Sequence, residues 1–268
     1  MEIYKEYKVS DKSRRFINLI WTFEKRANDE TINDRLVLPN GCFNIAILIG
    51  NGGEAKTKND YYDCKSGIFL TSQMTQVSTV RLKPGSKLVF IQMAAWTLSL
   101  FPQLDLKNFI DEVKEIDLAD LPFKRELTAH DFDDIHFVVR LVNSFFERLN
   151  DLHPTQEVIE QVCRHIVENH ADEIKQVSLA KQWGLSPRVL QIKFKKYTGI
   201  TLKGYLKIIR FRQTLKTILE NKESKLTEST HSKGYFDQSH LNKTFNDIAK
   251  SSPSKLNIDR LVLPEFQR

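Results

Sequence analysis

The chain has 268 residues, 41% of them hydrophobic, with a formal net charge of +6 at pH 7. That content excludes wholesale disorder and leaves room for one large or two ordinary domains. Residues 1–160 hold 20 Lys+Arg against 24 Asp+Glu, whereas residues 161–268 hold 20 against 10. The overall charge therefore hides an acidic first part and a strongly basic second part, and a basic domain favours a polyanionic partner, nucleic acid or an anionic membrane surface.

The opening MEIYKEYK is charged from its second residue and no apolar stretch follows, which is not the pattern of a secretory leader. The longest apolar run, LVFIQMAAWTLSLF at 88–101, is interrupted by Gln92 and is too short to span a bilayer. Cys42, Cys64 and Cys163 are odd in number and none are in C-x-x-C spacing. Three free thiols in a reducing cytoplasm are expected, with no disulfide frame and no zinc site.

The first half reads as β-rich. LVLPNGCFNIAILIGNGG (36–53) is an apolar, β-branched run stopped by a Gly/Asn turn. YYDCKSGIFLTSQ (61–73), VSTVRL (77–82) and KLVFIQMA (87–94) read as further strands, with KPG (83–85) as a tight turn. Short strands at this spacing predict a sandwich or small barrel. Helical spacing follows in WTLSLF (96–101), in KNFIDEVKEI (107–116) and most clearly in HDFDDIHFVVRLVNSFFERLN (130–150). Pro154 in DLHPT (151–155) forces its predecessor out of the α region and marks the expected linker. From 155 onward every element reads as helix, most of them short.

One of these short helices carries the chemistry. In LSPRVLQIKFKKYTG (185–199), Ser186 is suited to cap a helix, Pro187 to its first position and Gly199 to its stop. Leu190, Phe194 and Tyr197 fall on one stripe, while Arg188, Gln191, Ile192 and Lys195 point the opposite way. Arginine can grip guanine through two hydrogen bonds, glutamine can do so with adenine, and an isoleucine can touch a thymine methyl. Lys193 and Lys196 flank that face and suit phosphate contacts. SLAKQW, with Ser178 as its expected cap, precedes a three-residue joint Gly184-Leu185-Ser186. Helix, tight turn and basic second helix is the helix-turn-helix layout.

The pattern repeats in GYFDQSHLNKTFNDIA (234–249). Leu190 maps to Leu241, Phe194 to Phe245 and Ser186 to Asp237. Gln238, Ser239, Asn242, Lys243 and Asn246 then occupy the second outer face. The intervening segment 201–221, as a helix, would be about 30 Å long, close to one DNA turn of about 34 Å.

Residues about 160–257 resemble the DNA-binding domain of the AraC/XylS family of bacterial transcription regulators. The matching positions are Leu179-Ala180, Gly184, Ser186, Leu190, Phe194 and Gly199 in the first unit, and Gly234-Tyr235, Asp237, Phe245 and Pro253 in the second. The N-terminal LPNGCFNIAILIG and RLKPGSKLVFI are similar to a regulatory domain fused to such proteins. Two departures stand out. Ser229, Thr230 and Lys233 occupy places where the family has apolar residues, and Lys250 replaces its glycine after the second recognition helix.

The expectation is thus an α+β protein with a β-rich sandwich or barrel-like regulatory domain with trailing helices over 1–153, and an all-α domain with two helix-turn-helix units over 154–268. The resemblance implies a cytoplasmic regulator that binds double-stranded promoter DNA and contacts RNA polymerase. A small-molecule effector and a second copy of the chain are the other candidate partners. No cofactor is expected: there is no H-E-x-x-H, P-loop, G-x-G-x-x-G or G-x-S-x-G motif, and His165 and His170 are poorly spaced for a metal. That sequence argues against an enzyme. A protein-interaction module with a degenerate second unit is the alternative class.

Overall fold

The computed structural model describes residues 2–101, 109–123, 134–152, 157–169, 171, 174–220 and 238–262. Ten strands come first: β1 (Glu2–Tyr7), β2 (Ile17–Lys25), β3 (Arg35–Val37), β4 (Phe43–Ile49), β5 (Gly53–Lys56), β6 (Tyr61–Cys64), β7 (Gly67–Thr71), β8 (Ser78–Leu82), β9 (Ser86–Met93) and β10 (Val113–Ile116). They form two antiparallel sheets, one ordered β1-β2-β9-β4-β7-β10 and the other β3-β8-β5-β6. The helices follow: α1 (Ile135–Leu152), α2 (Val158–Glu168), α3 (Gln176–Gln182), α4 (Pro187–Thr198), α5 (Leu202–Glu220) and α6 (Gln238–Ala249).

The larger sheet is buried on both faces, which explains its continuous apolar runs. Side chains of a strand alternate between faces. In β4, Ile45 and Ile47 face one core, while Ala46 and Leu48 face another. In β9, Val89 and Ile91 go with the first pair, Leu88 and Phe90 with the second. The second core fills the space between the sheets and includes Leu82 from the smaller one. The first core continues without a break into the helices, through Val138, Phe146, Val162, Leu190, Phe194 and Tyr205.

The 36–53 run is therefore not one strand. It divides into β3 and β4 around Pro39-Asn40-Gly41, and likewise 61–73 divides into β6 and β7. KPG forms the expected turn, with Gly85 at φ +77°. The 107–116 segment corrects the helical reading: Val113–Ile116 is strand β10, paired with β7. Val113 and Ile116 are three apart, which fits one helix stripe but equally fits opposite faces of a strand. Here Val113 packs into the core between the sheets and Ile116 into the core under the helices. The 96–101 stretch is a 3-10 turn, Ala95–Leu100. Strands β1 and β2 carry no expectation from the sequence; β2 is an apolar run whose neighbours on both sides decide its burial.

The helical part is fastened to the sheets by polar contacts as well as core. Arg212 Nη1 donates to the Asn40 carbonyl at 2.8 Å. Gly41, at φ +74°, lies so close to α5 that a β-carbon there would sit 2.8 Å from a Tyr205 ring carbon. Leu36 forms a parallel bridge to Leu261, and Val262 N donates to Leu36 O at 2.9 Å. Arg15, ahead of β2, grips Glu160 of α2 through Nε and Nη2, each at 2.9 Å. The Glu160 side chain has no exposure, and that of Arg15 only 9%.

Cys42, Cys64 and Cys163 are all free thiols, the first and third buried. Burial pushes both of those thiols up from their ordinary range, so they behave as inert packing groups. No helix among the described residues is long and apolar enough to cross a membrane.

Removing one partner of a buried ion pair strands the other charge. Glu160→Ala should therefore lower unfolding free energy by about 3–5 kcal/mol in urea titration. A loss within error would mean that Arg15 reaches solvent in the folded protein.

Candidate nucleic-acid interface

The basic helix forms for the reasons its sequence suggests. Ser186 caps α4, its hydroxyl accepting from Val189 N at 3.3 Å, and Pro187 takes the first helical position, where no amide donor is needed. Gly199 ends the helix in the left-handed region at φ +76°, its amide donating to Lys195 O at 2.9 Å. The turn before α4 needs glycine too: Gly184 sits at φ +64°, and Leu185 N donates back to Ala180 O at 2.9 Å. Helix α3 starts three residues earlier than expected, with Lys175 as its cap residue, which places Ser178 inside the helix on its exposed side.

The two faces of α4 separate cleanly. Leu190 and Phe194 are fully buried, and Phe194 packs against Tyr205 of α5 with ring centroids 5.4 Å apart. Arg188, Gln191, Lys193, Lys195 and Lys196 are exposed, and Ile192 is 60% exposed. Gln191 Nε2 donates to Gln176 Oε1 of α3 at 3.1 Å, which steadies its amide at the mouth of the turn. Four cations and no acid lie along this helix. Trp183 is half-buried against the core: its ring meets His165 edge-on and its Nε1 donates to Gln161 Oε1 at 3.1 Å.

The second helix repeats the separation. Leu241, Phe245, Ile248 and Ala249 of α6 are buried against Phe211 and Leu215 of α5. Ser239, Lys243 and Asn246 are exposed and Asn242 is half-buried. Gln238 heads the helix, its side chain outside the described residues. Lys207 of α5 bonds Asp247 of α6 at 2.8 Å, and its hydrogen bond holds that carboxyl below the usual range. Lys250 follows α6 at φ +54°, the left-handed conformation for which a glycine is the usual choice. The expected first helix of this unit, with Ser229, Thr230 and Lys233, and the Gly234-Tyr235 and Asp237 positions lie outside the described residues.

Between the two units, α5 has 19 residues. Its length is about 28 Å at 1.5 Å per residue. Phe211, Leu215, Tyr205, Ile208 and Ile209 are all buried, so it is a core spacer and not a free linker. No cluster of three or more His, Cys, Asp or Glu suited to a metal occurs among the described residues. The sequence reading missed the contacts between the β domain and the helix ends, for which no local pattern exists.

Residues 179–257 match the family described as "Helix-turn-helix domain". The chain is 23% identical over 161 residues to the HTH-type transcriptional activator RhaS of Pectobacterium carotovorum subsp. carotovorum (strain PC1), covering 60% of this chain and 56% of that protein. It is 28% identical over 101 residues to the Msm operon regulatory protein of Streptococcus mutans, covering 38% of this chain and 36% of that one. It thus spans little more than half of the first relative's length, and about a third of the second's. Among solved structures, ToxT from Vibrio cholerae O395 aligns with a TM-score of 0.46 at 12% identity, covering 84% of this chain and 95% of that one.

The two left-handed positions give a paired prediction. Gly184→Ala has open space around it, so only backbone strain acts. It should cost about 1 kcal/mol, and Lys250→Gly should gain a similar amount, both read by thermal unfolding. Equal signs for the two substitutions would contradict the backbone assignment.

Proposed function

We propose that this chain, whose residues 179–257 carry a helix-turn-helix domain of the AraC type, is a cytoplasmic transcription regulator that reads promoter DNA. The observation that carries the reading is α4: a capped helix behind a glycine turn, buried on one side and carrying four cations and no acid on the other. An exposed row of Arg188, Gln191, Ile192 and Lys195 offers base-edge groups, and Lys196 beside it offers a phosphate contact. On α6, Gln238, Ser239, Asn242, Lys243 and Asn246 supply a second, less basic face in the next groove segment.

The relatives are named as transcriptional regulators, and on that reading the chain works by binding and not by turnover. Residues 1–153 are the regulatory domain and 154–268 the DNA-binding domain in this proposal. The cavity between the two sheets is the natural seat for a small effector. Val37, Ala46, Leu48, Phe69, Leu82 and Phe90 are among its lining residues, so the ligand would be largely apolar. RNA polymerase and a second copy of the chain complete the proposed partners.

Arg188→Ala and Lys196→Ala separate reading from charge. Arg188→Ala should erase about 1–3 kcal/mol of preference between the best site and a single-base variant. Lys196→Ala should weaken all duplexes alike and reduce the salt slope by about one unit. Fluorescence anisotropy on labelled duplexes reads both. Unchanged site preference in Arg188→Ala would contradict the assigned reading face.

A further inference from the structure

One segment of the β domain reaches the C-terminal ends of both α4 and α6. Gln73, in the loop 72–77 between β7 and β8, is buried, and its Nε2 donates to the carbonyl of Thr198, the last residue of α4, at 2.9 Å. Four residues on, Val77 N donates to the carbonyl of Ile248, next to the end of α6, at 2.6 Å. The last four carbonyls of a helix have no partner within it, so each bond satisfies a group that would otherwise need water. The two anchor points are separated by at most about 14 Å of extended chain.

The loop is itself bolted down. Asp111 accepts from Thr75 N through Oδ1 and from the Thr75 hydroxyl through Oδ2, each at 2.5 Å. Its own amide donates to Gln73 O at 3.2 Å, and Ser72 and Glu112 exchange two further bonds. Asp111 is 2% exposed, at φ +56°, with Lys58 Nζ 3.8 Å from its carboxylate. Met74, between the two anchors, lines the cavity between the sheets.

We propose that loop 72–77 is a clamp that fixes the outer face of α6 relative to that of α4, with Gln73 and Thr75 as positioning residues. This rests on the reading that both faces meet DNA. Two reading faces held rigidly tolerate only one spacing of their two boxes. Loosening the clamp lets the faces adjust, so tolerance to altered spacing rises while each face alone reads as before. An effector in the cavity would press on the same loop through Met74.

The test uses the full chain on duplexes carrying both boxes at the preferred spacing, both boxes one base pair closer or further apart, and one box alone. Thr75→Val keeps the shape and removes the hydroxyl donor; Gln73→Met removes the bond to α4; Thr75→Ser keeps the donor. The penalty for altered spacing should shrink by about three- to tenfold in Thr75→Val and Gln73→Met, the worth of one hydrogen bond, with single-box affinity unchanged. Thr75→Ser should keep the wild-type penalty. An unchanged penalty in both loosened variants overturns the clamp, as does an equal loss on the single box. A second measurement needs no DNA: nitroxide pairs placed by Lys195→Cys and Lys243→Cys, with Cys64→Ser. The distance distribution should broaden with Thr75→Val and not with Thr75→Ser, and equal widths overturn the clamp. If the wild type binds no duplex, the DNA reading fails, and the distances alone decide the clamp.

Discussion

The structure depends on how α4 is partitioned. Leu190 and Phe194 have no exposure, and they belong to the same core that covers one face of the larger sheet. Burying two such side chains contributes about 3–6 kcal/mol, far more than any surface charge on that helix. That burial decides which way the helix faces. Once Leu190 and Phe194 are turned inward, Arg188, Gln191, Ile192 and Lys195 have no choice but to point outward.

The same core removes the freedom expected of two domains joined by a linker. Hydrophobic contacts run from Val89 and Ile91 of β9 to Tyr205 of α5 without a polar break. Leu38 of the β domain packs in the cluster that holds Phe245 and Ile248 of the second unit. The loop between β7 and β8 is bonded to the far ends of both α4 and α6. The cavity between the sheets and the end of α4 are joined by one short stretch of chain, because Met74, which lines the cavity, directly follows Gln73, which bonds α4.

Much of the site was legible because its signals are local. Ser186, Pro187 and Gly199 punctuate α4 through their own backbone chemistry, and the four-residue spacing of Leu190 and Phe194 sets its buried face. The β-rich first half was legible from its apolar, β-branched runs. Where the reading failed, the deciding partner was distant. Val113–Ile116 became a strand because β7 offered an edge to pair with. Ser178 lost its capping role because α3 gains a turn upstream. Gln73 and Val77 look like ordinary loop residues until the helix ends that they meet are in place.

The most direct measurement is selection of duplexes from a random DNA pool by the full-length chain near physiological salt. The account predicts two enriched boxes about one helical turn apart, at a fixed separation. Absence of any enriched sequence, with binding that stays insensitive to salt, would contradict it.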